Sequence, residues 1–230
     1  MISVALAAYK GEKYIAEQIN SILIQLGAED EIVVSDDAPG GETEKTVKEL
    51  CRSDPRVRYI AGKGEGLIRN FQNALEHCNG DIIFLSDQDD MWLPGKVKKV
   101  CEKINGGAML VLHDCAETDA LLNVINPSYF ALRGSSGGFW GNIIKNSYMG
   151  CCMAFKKELL SFALPFPEKI PMHDQWLGLI AERTGKTQLI YEPLIYHRVH
   201  GNNMTGGKTS AADKLLWRIR LIICLIKKGV

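Results

Sequence analysis

Short apolar runs alternating with helix-length amphipathic segments constrain this chain more than any other feature. Residues 2–7, 31–35, 57–60 and 81–85 each have the length and composition of a buried strand. Between the first two, residues 12–26 set Tyr14, Ile15, Ile19, Ile22, Leu23 and Leu26 at helical spacing. Residues 43–51 and 67–78 read as the second and third helices, with a turn at 38–41 and a glycine-rich loop at 62–66. Strands joined by helices of this length imply right-handed βαβ units. The expected fold class is therefore α/β, a Rossmann-like, mostly parallel central sheet with helices on both faces. In such sheets the ligand sits beyond the carboxyl ends of the strands. Two of the four runs end there in acids, Asp36-Asp37 and Asp87-Gln88-Asp89-Asp90.

Composition narrows the function classes. The 230 residues carry 27 Lys and Arg against 27 Asp and Glu, and a chain without net positive charge is not built around nucleic acid. With 46% apolar residues, disorder is excluded. No apolar run approaches the roughly 18 residues that span a bilayer. The N-terminus enters a strand-like run with no basic leader, so no signal peptide is expected. The seven cysteines are scattered and lack a CxxC pair, which argues against a disulfide framework or zinc site and for a reducing cytosol. Charge is uneven, because residues 207–230 hold six basic residues and one acid, a net +5 against −5 for residues 1–206.

Asp87, Asp89 and Asp90 crowd three carboxylates into four residues. Such groups repel one another without a cation, and hard oxygen ligands suit Mg²⁺ or Mn²⁺. The alternative is an acidic turn capping a helix that begins near Leu93-Pro94, although a cap needs only one carboxylate. Asp36 and Asp37 can accept hydrogen bonds from a base imide or from ribose hydroxyls, or can form a turn and helix cap. In Pro171-Met172-His173-Asp174-Gln175-Trp176, Asp174 fits a general base and Trp176 a sugar-stacking ring; an N-cap and a core Trp are the alternative. Alternation along residues 196–200 puts Arg198 and His200 on one face, one suited to a diphosphate and the other to a metal shell, unless each is merely an exposed polar residue. Two glycine motifs are decoys. Residues 62–66 have the wrong spacing for a dinucleotide fingerprint, and residues 206–210 lack the earlier glycine of a phosphate loop.

Taken together, ISVALAAYKGEKYIAEQINSIL, EIVVSDDAPGGET, RNFQNALEHCNGDIIFLSDQDDMWLPGKV, MGCCMAFKKELL, ALPFPEKIPMHDQW and LIYHRVHGNN resemble the family 2 glycosyltransferases. These are inverting enzymes of GT-A fold that use nucleotide-sugar donors, and the closest likeness is to their bacterial rhamnosyltransferase-like branch. The resemblance runs over about residues 1–205 and is most specific at SDQDDMWLPGK. It implies that Ala7, Ala8 and Tyr9 line the nucleobase and ribose pocket, that Asp36 or Asp37 contacts the base, and that Arg69 and Asn70 border the nucleotide. Asp87 and Asp89 match the DxD motif, with Asp89 the direct contact to Mg²⁺ or Mn²⁺. Asp90 matches an acid close to the donor sugar. Asp174 takes the position of the catalytic base, Arg198 that of a diphosphate ligand, and His200 that of a metal neighbour.

By the same resemblance the donor is a dTDP- or UDP-sugar, with rhamnose a candidate. The acceptor is a glycan or lipid-linked glycan of a bacterial surface polysaccharide. The location is the cytoplasm, at the inner face of the cell membrane. The transferase domain is expected at 1–206, divided near 110 into nucleotide-sugar and acceptor halves, followed by a basic amphipathic helix at 207–230. Residues 215–226 are too short to span a bilayer. With Trp217 they suit an anionic membrane surface, or packing on the body or a second subunit. Three positions depart from the family pattern: Lys10 after the Tyr, Ala38-Pro39-Gly40-Gly41 at the turn, and Gln175 beside the base.

Two other classes stay open. A sugar nucleotidyltransferase should carry a glycine- and basic-rich loop after its first strand, where this chain has Ala7-Ala8-Tyr9-Lys10-Gly11-Glu12. A phosphatase of the haloacid-dehalogenase type should carry its Asp pair at the first strand rather than the fourth. A non-catalytic relative would lack metal-dependent donor hydrolysis.

Overall fold

The computed structural model describes residues 1–200 and 210–229. The readings made on Gly201, Asn202, Asn203 and on residues 206–209 lie outside the described residues. Strands β1 (Ile2–Ala8), β2 (Glu31–Asp36), β3 (Val57–Ala61) and β4 (Ile82–Asp87) pair in parallel in the order β3-β2-β1-β4. Helices α1 (Ile15–Leu23), α2 (Glu42–Ser53) and α3 (Leu67–Glu76) cross between them. Burial explains the runs: Val4, Ala5, Leu6, Ile32, Val33, Val34, Ile83, Phe84 and Leu85 are all removed from solvent, as strands covered on both faces must be.

The second half adds β5 (Met91–Trp92), α4 (Lys96–Asn105), β6 (Leu110–Thr118), β7 (Val124–Asn126), α5 (Tyr129–Arg133), α6 (Phe139–Ile144), β8 (Met153–Lys156), α7 (Leu159–Ala163), α8 (His173–Thr184) and β9 (Thr187–Arg198). The sheet continues β4-β8-β6-β9-β5, with β7 beside β6. Here directions mix. β8 runs antiparallel to both β4 and β6, while β9 is parallel to β6. The purely parallel pattern therefore holds only where helices make the crossovers.

Two boundaries differ from expectation for identifiable reasons. The first helix begins at Ile15 rather than residue 12, because Lys10 turns the chain at φ 50° and the Gly11 carbonyl takes the N–H groups of Tyr14 and Ile15. After the acidic loop, Met91 and Trp92 pair with Tyr196 and Ile195 of β9, and the helix starts only at Lys96. The acidic loop is thus joined to the sheet, and no carboxylate in it caps α4, whose N-cap is Gly95.

A final helix, α9 (Ala211–Lys228), opens with a capping box between Ser210 and Asp213. Leu221 and Leu225 are buried, Arg218 donates to the Ile144 carbonyl at 2.6 Å, and Lys228 to the Leu164 carbonyl at 2.8 Å. Leu215, Leu216, Trp217, Ile219, Ile222, Ile223 and Ile226 stay exposed. No helix among the described residues is long and apolar enough to cross a membrane.

One side chain locks the ligand edge of the sheet. Buried Asn70 on α3 donates to the carbonyls of Ala8 and Ser35, at 2.9 and 3.0 Å, and accepts from the Ser35 hydroxyl. Asn70→Ala removes three buried hydrogen bonds and leaves the Ala8 carbonyl with only the Asp37 N–H, an expected loss of about 3 kcal/mol in urea unfolding, against about 1 kcal/mol for Asn73→Ala on the more open side of the same helix.

Candidate active site

Register aligns the strand ends that carry the acids. Ala8 lies opposite Asp36 and Ala7 opposite Asp87, so the β1, β2 and β4 termini form one edge. Ala7 and Ala8 are buried and Tyr9 is 55% exposed. Gln88 clamps the turn at Tyr9, accepting from its N–H at 2.8 Å and donating to its carbonyl at 3.1 Å. Gly11 leaves room for this clamp, because a Cβ there would meet Gln88 Oε1 at 2.0 Å and push the side chain aside. Gln88 was not foreseen; nothing marks it in the sequence except its place inside the acidic loop.

Asp36 and Asp37 have distinct roles. Asp36 is fully buried, accepts from the Ala38 N–H and the Tyr59 hydroxyl, and has its pKa raised by burial. Asp37 accepts from the N–H groups of Gly64 and Gly66 at 2.8 and 2.7 Å, so it shapes the glycine loop beside the edge. Gly62 must approach closely, since a Cβ would sit 2.8 Å from the Asp37 Cα. Arg69 donates to Gln72 and to the Phe166 carbonyl, tying α3 to the loop before α8.

Beyond β4 the carboxylates face different partners. Asp89 Oδ2 lies 3.0 Å from His200 Nε2. Asp90 is fully buried and takes His197 Nδ1 at 2.8 Å and the Arg198 N–H at 3.3 Å. Burial, then repulsion from Asp90 and Asp89, pushes Asp87 up to about 8, and the charge of Asp174 adds to that push. Asp89 is raised by burial and by Asp90, against His200. Asp90 is lowered, because the His197 imidazolium and its hydrogen bond, with one from Cys151, outweigh burial. Among the described residues, the one group of three potential ligands with donor atoms within 4.8 Å of one another is Asp90, Cys151 and His197. Asp87, Asp89 and His200 are not gathered so tightly.

Arg198 and His200 do share a face. The guanidinium lies 4.7 Å from the Tyr14 ring centroid and the imidazole stacks on the same ring at 5.6 Å. Arg198 is nonetheless almost wholly buried, paired with Glu17 and donating to the Ala120 carbonyl at 2.7 Å. Neither is therefore the merely exposed polar residue of the alternative reading.

Asp174 stands in the first turn of α8, behind the N-cap Met172, and is not itself the cap. It is buried, and burial raises it to about 6 against hydrogen bonds from the N–H groups of Gln175 and Gly150 and from the Asn146 side chain. Trp176 is 0% exposed and donates to the Ala163 carbonyl at 3.0 Å, so it is core and not a sugar platform. Gln175 reaches the Asn142 carbonyl at 2.8 Å and fastens α6 to α8. His173 stacks on Phe71 at 4.0 Å, held neutral by burial at about 3. A cleft of about 620 Å³ around Met1, Asp81 and Lys156 opens at the opposite edge of the sheet and gathers none of these groups.

Comparison with known proteins places the chain by family and fold. Residues 3–162 match the family described as Glycosyl transferase family 2. The dTDP-rhamnosyl transferase RfbG of Shigella flexneri is 27% identical over 226 residues, covering 91% of this chain and 76% of the relative. The UDP-Glc:alpha-D-GlcNAc-diphosphoundecaprenol beta-1,3-glucosyltransferase WfgD of Escherichia coli is 25% identical over 191 residues, 79% of this chain and 70% of its own. Among solved structures, S. aureus TarS 1-349 in complex with UDP-GlcNAc superposes with a TM-score of 0.73 at 18% identity, over 97% of this chain and 66% of that one. The fold is GT-A, and the chain spans about two thirds of the TarS fragment.

The raised pKa of Asp174 has a signed consequence. Its ionised form is penalised in the folded state, so stability is lost as pH rises through about 6. Asp174→Asn should match the wild type near pH 3 and exceed it at pH 8, by about 3 kcal/mol at most, in urea unfolding at the two pH values.

Proposed function

The chain belongs to glycosyl transferase family 2, and we propose that it moves a sugar from a nucleoside-diphosphate donor to a glycan acceptor, with inversion, in building a bacterial surface polysaccharide. The carrying observation is the nearness of Asp87, at the end of β4, to Asp174, at the start of α8, whose charge acts on it. A metal-bearing edge and a base then flank one reaction centre.

The donor half is read as residues 1–110 and the acceptor half as 111–206. Ala7, Ala8 and Tyr9 form the floor under the base and ribose, bounded by Asp36, Asp37 and their glycine loop, with Arg69 and Asn70 bracing it. Asp89 and Asp87 offer hard oxygens and His200 an imidazole, and the raised pKa values of both acids express a negative surplus that a cation would relieve. Mg²⁺ or Mn²⁺ bound there supplies charge neutralisation for the departing diphosphate. Arg198 must exchange Glu17 for the diphosphate if it is to hold it. Asp90, fully buried and locked by His197, supports the acidic loop beneath the donor sugar. Asp174 takes the acceptor hydroxyl proton as the oxygen attacks the anomeric carbon and the bond to the diphosphate breaks on the other face. No protein nucleophile is needed, and positioning supplies much of the acceleration.

Likeness to RfbG supports a dTDP-sugar, rhamnose among them, and likeness to the TarS complex supports a UDP-sugar. WfgD, with its diphosphoundecaprenol acceptor, supports a lipid-linked glycan. This suits a cytoplasmic enzyme at the inner membrane face, held there by the exposed apolar residues of α9 and its flanking Lys214, Arg220 and Lys227.

Thermal shift with UDP, dTDP and their sugars tests the donor site. One nucleotide at 100 times its Kd should stabilise the protein by about 2.7 kcal/mol with Mn²⁺ and not without it, and Asp89→Ala should abolish the effect. No response under any metal condition overturns the reading. Asp174→Asn should bind the nucleotide normally but lose transfer, and the wild-type rate should fall on the acid side with a midpoint near 6. Vesicles rich in phosphatidylglycerol should sediment the wild type, while Ile219→Glu/Ile226→Glu stays in the supernatant; equal recovery with neutral vesicles overturns the membrane contact.

A further inference from the structure

Lys96 begins α4, where a lysine ordinarily lies in water, yet its side chain is 0% exposed. Its Nζ donates to the Cys151 carbonyl at 2.9 Å and lies 3.9 Å from the Trp92 ring centroid. A cation at a helix N-terminus also opposes the helix dipole. Nothing within α4 rewards this placement, and a carbonyl and a ring face receive the ammonium without neutralising it, which points to a nearby anion. Cys151 identifies it, because the residue whose carbonyl holds Lys96 turns its thiol to Asp90 and, at 4.0 Å, to His197 Nδ1. Asp90 thus pairs with His197 directly and is linked to Lys96 through Cys151, all out of solvent. One Asp90 oxygen, Oδ2, has no hydrogen-bond partner among the described residues, so fixed charge must hold what hydrogen bonds leave unmet.

The Asp90, Cys151 and His197 trio has the spacing of a metal site. Lys96 argues against an ion there. The ring nitrogen that faces the trio is already committed to Asp90, and an ammonium already supplies the positive charge.

We propose that Lys96 is a positioning residue, a buried counter-charge to Asp90 that fixes the shape of the Asp87-Gln88-Asp89-Asp90 loop for cation-dependent donor binding. The donor-binding part rests on the transferase reading; the charge balance does not.

A double-mutant cycle in metal-free, nucleotide-free buffer tests the balance. Lys96→Met keeps the length and removes the charge, so its melting temperature should fall. Adding Asp90→Asn should then restore stability, leaving the double variant roughly 4 °C or more above the additive expectation. The loss of the His197 contact is common to both Asp90→Asn proteins and cancels. Additivity overturns the proposal. If Lys96→Met does not fold, a folded double variant supports the proposal and an unfolded one overturns it. For positioning, the Mn²⁺ concentration giving half-maximal stabilisation by UDP should rise about tenfold in Lys96→Met, or in Lys96→Gln if that folds better. Val100→Ala, a core truncation on the same helix, should leave it within twofold; an equal rise in both makes Lys96 merely structural and overturns the proposal. Stoichiometric Zn²⁺ binding by Asp89→Ala protein that Cys151→Ser removes would also overturn it, by making the trio a metal site. A wild type silent to UDP refutes the transferase reading alone, and the cycle still decides the charge balance.

Discussion

Negative charge gathered where a buried strand ends is the constraint on which the rest of this structure turns. β4 delivers Asp87, Asp89 and Asp90 to one edge, and three carboxylates cannot share low-dielectric space without positive partners. The two histidine partners come from far along the chain. His200 meets Asp89 and His197 meets Asp90, over sequence separations of 111 and 107 residues. The pairing of β5 with β9 brings them there, since Met91 and Trp92 hydrogen-bond beside Tyr196 and Ile195 just before these histidines. A two-residue strand thus sets the electrostatics of the site.

The base side is organised by neutral packing. α8 is buried through most of its length, and His173 enters as an uncharged ring stacked on Phe71 of α3. Because α3 also carries Asn70, which ties down the ends of β1 and β2, one helix braces both the donor edge and the helix that bears Asp174. Burial without a cationic partner among the described residues then leaves Asp174 a weaker acid, suited to accept a proton near neutral pH. The acids of one site are held at different affinities by different surroundings: Asp90 low beside an imidazolium, Asp174 raised by burial, Asp87 raised further by its neighbours.

Local pattern was a good guide wherever a residue's role depends on its neighbours in sequence. The period of the apolar runs specifies the parallel half, because a strand covered on both faces must be apolar throughout. The acidic cluster and the Asp174 segment announce themselves because charge beside apolar runs is costly unless used. The roles of Trp176 and Arg198 were not legible in that way. A Trp next to an acid looks the same whether it packs inward, as it does, or faces a sugar. An Arg suited to a diphosphate looks the same whether free or paired with Glu17, which lies 181 residues away.

Residue order alone therefore decided the strand-helix alternation, the edge at which the acids gather, and the identity of those acids, since these follow from periodicity and local charge. Tertiary structure alone decided the antiparallel insertion of β8, the burial of Lys96, the clamp of Gln88 on Tyr9 and the division of labour between Asp36 and Asp37. Those depend on which distant backbone and side-chain groups meet, and a hydrogen bond or ion pair between remote segments leaves no period in the sequence.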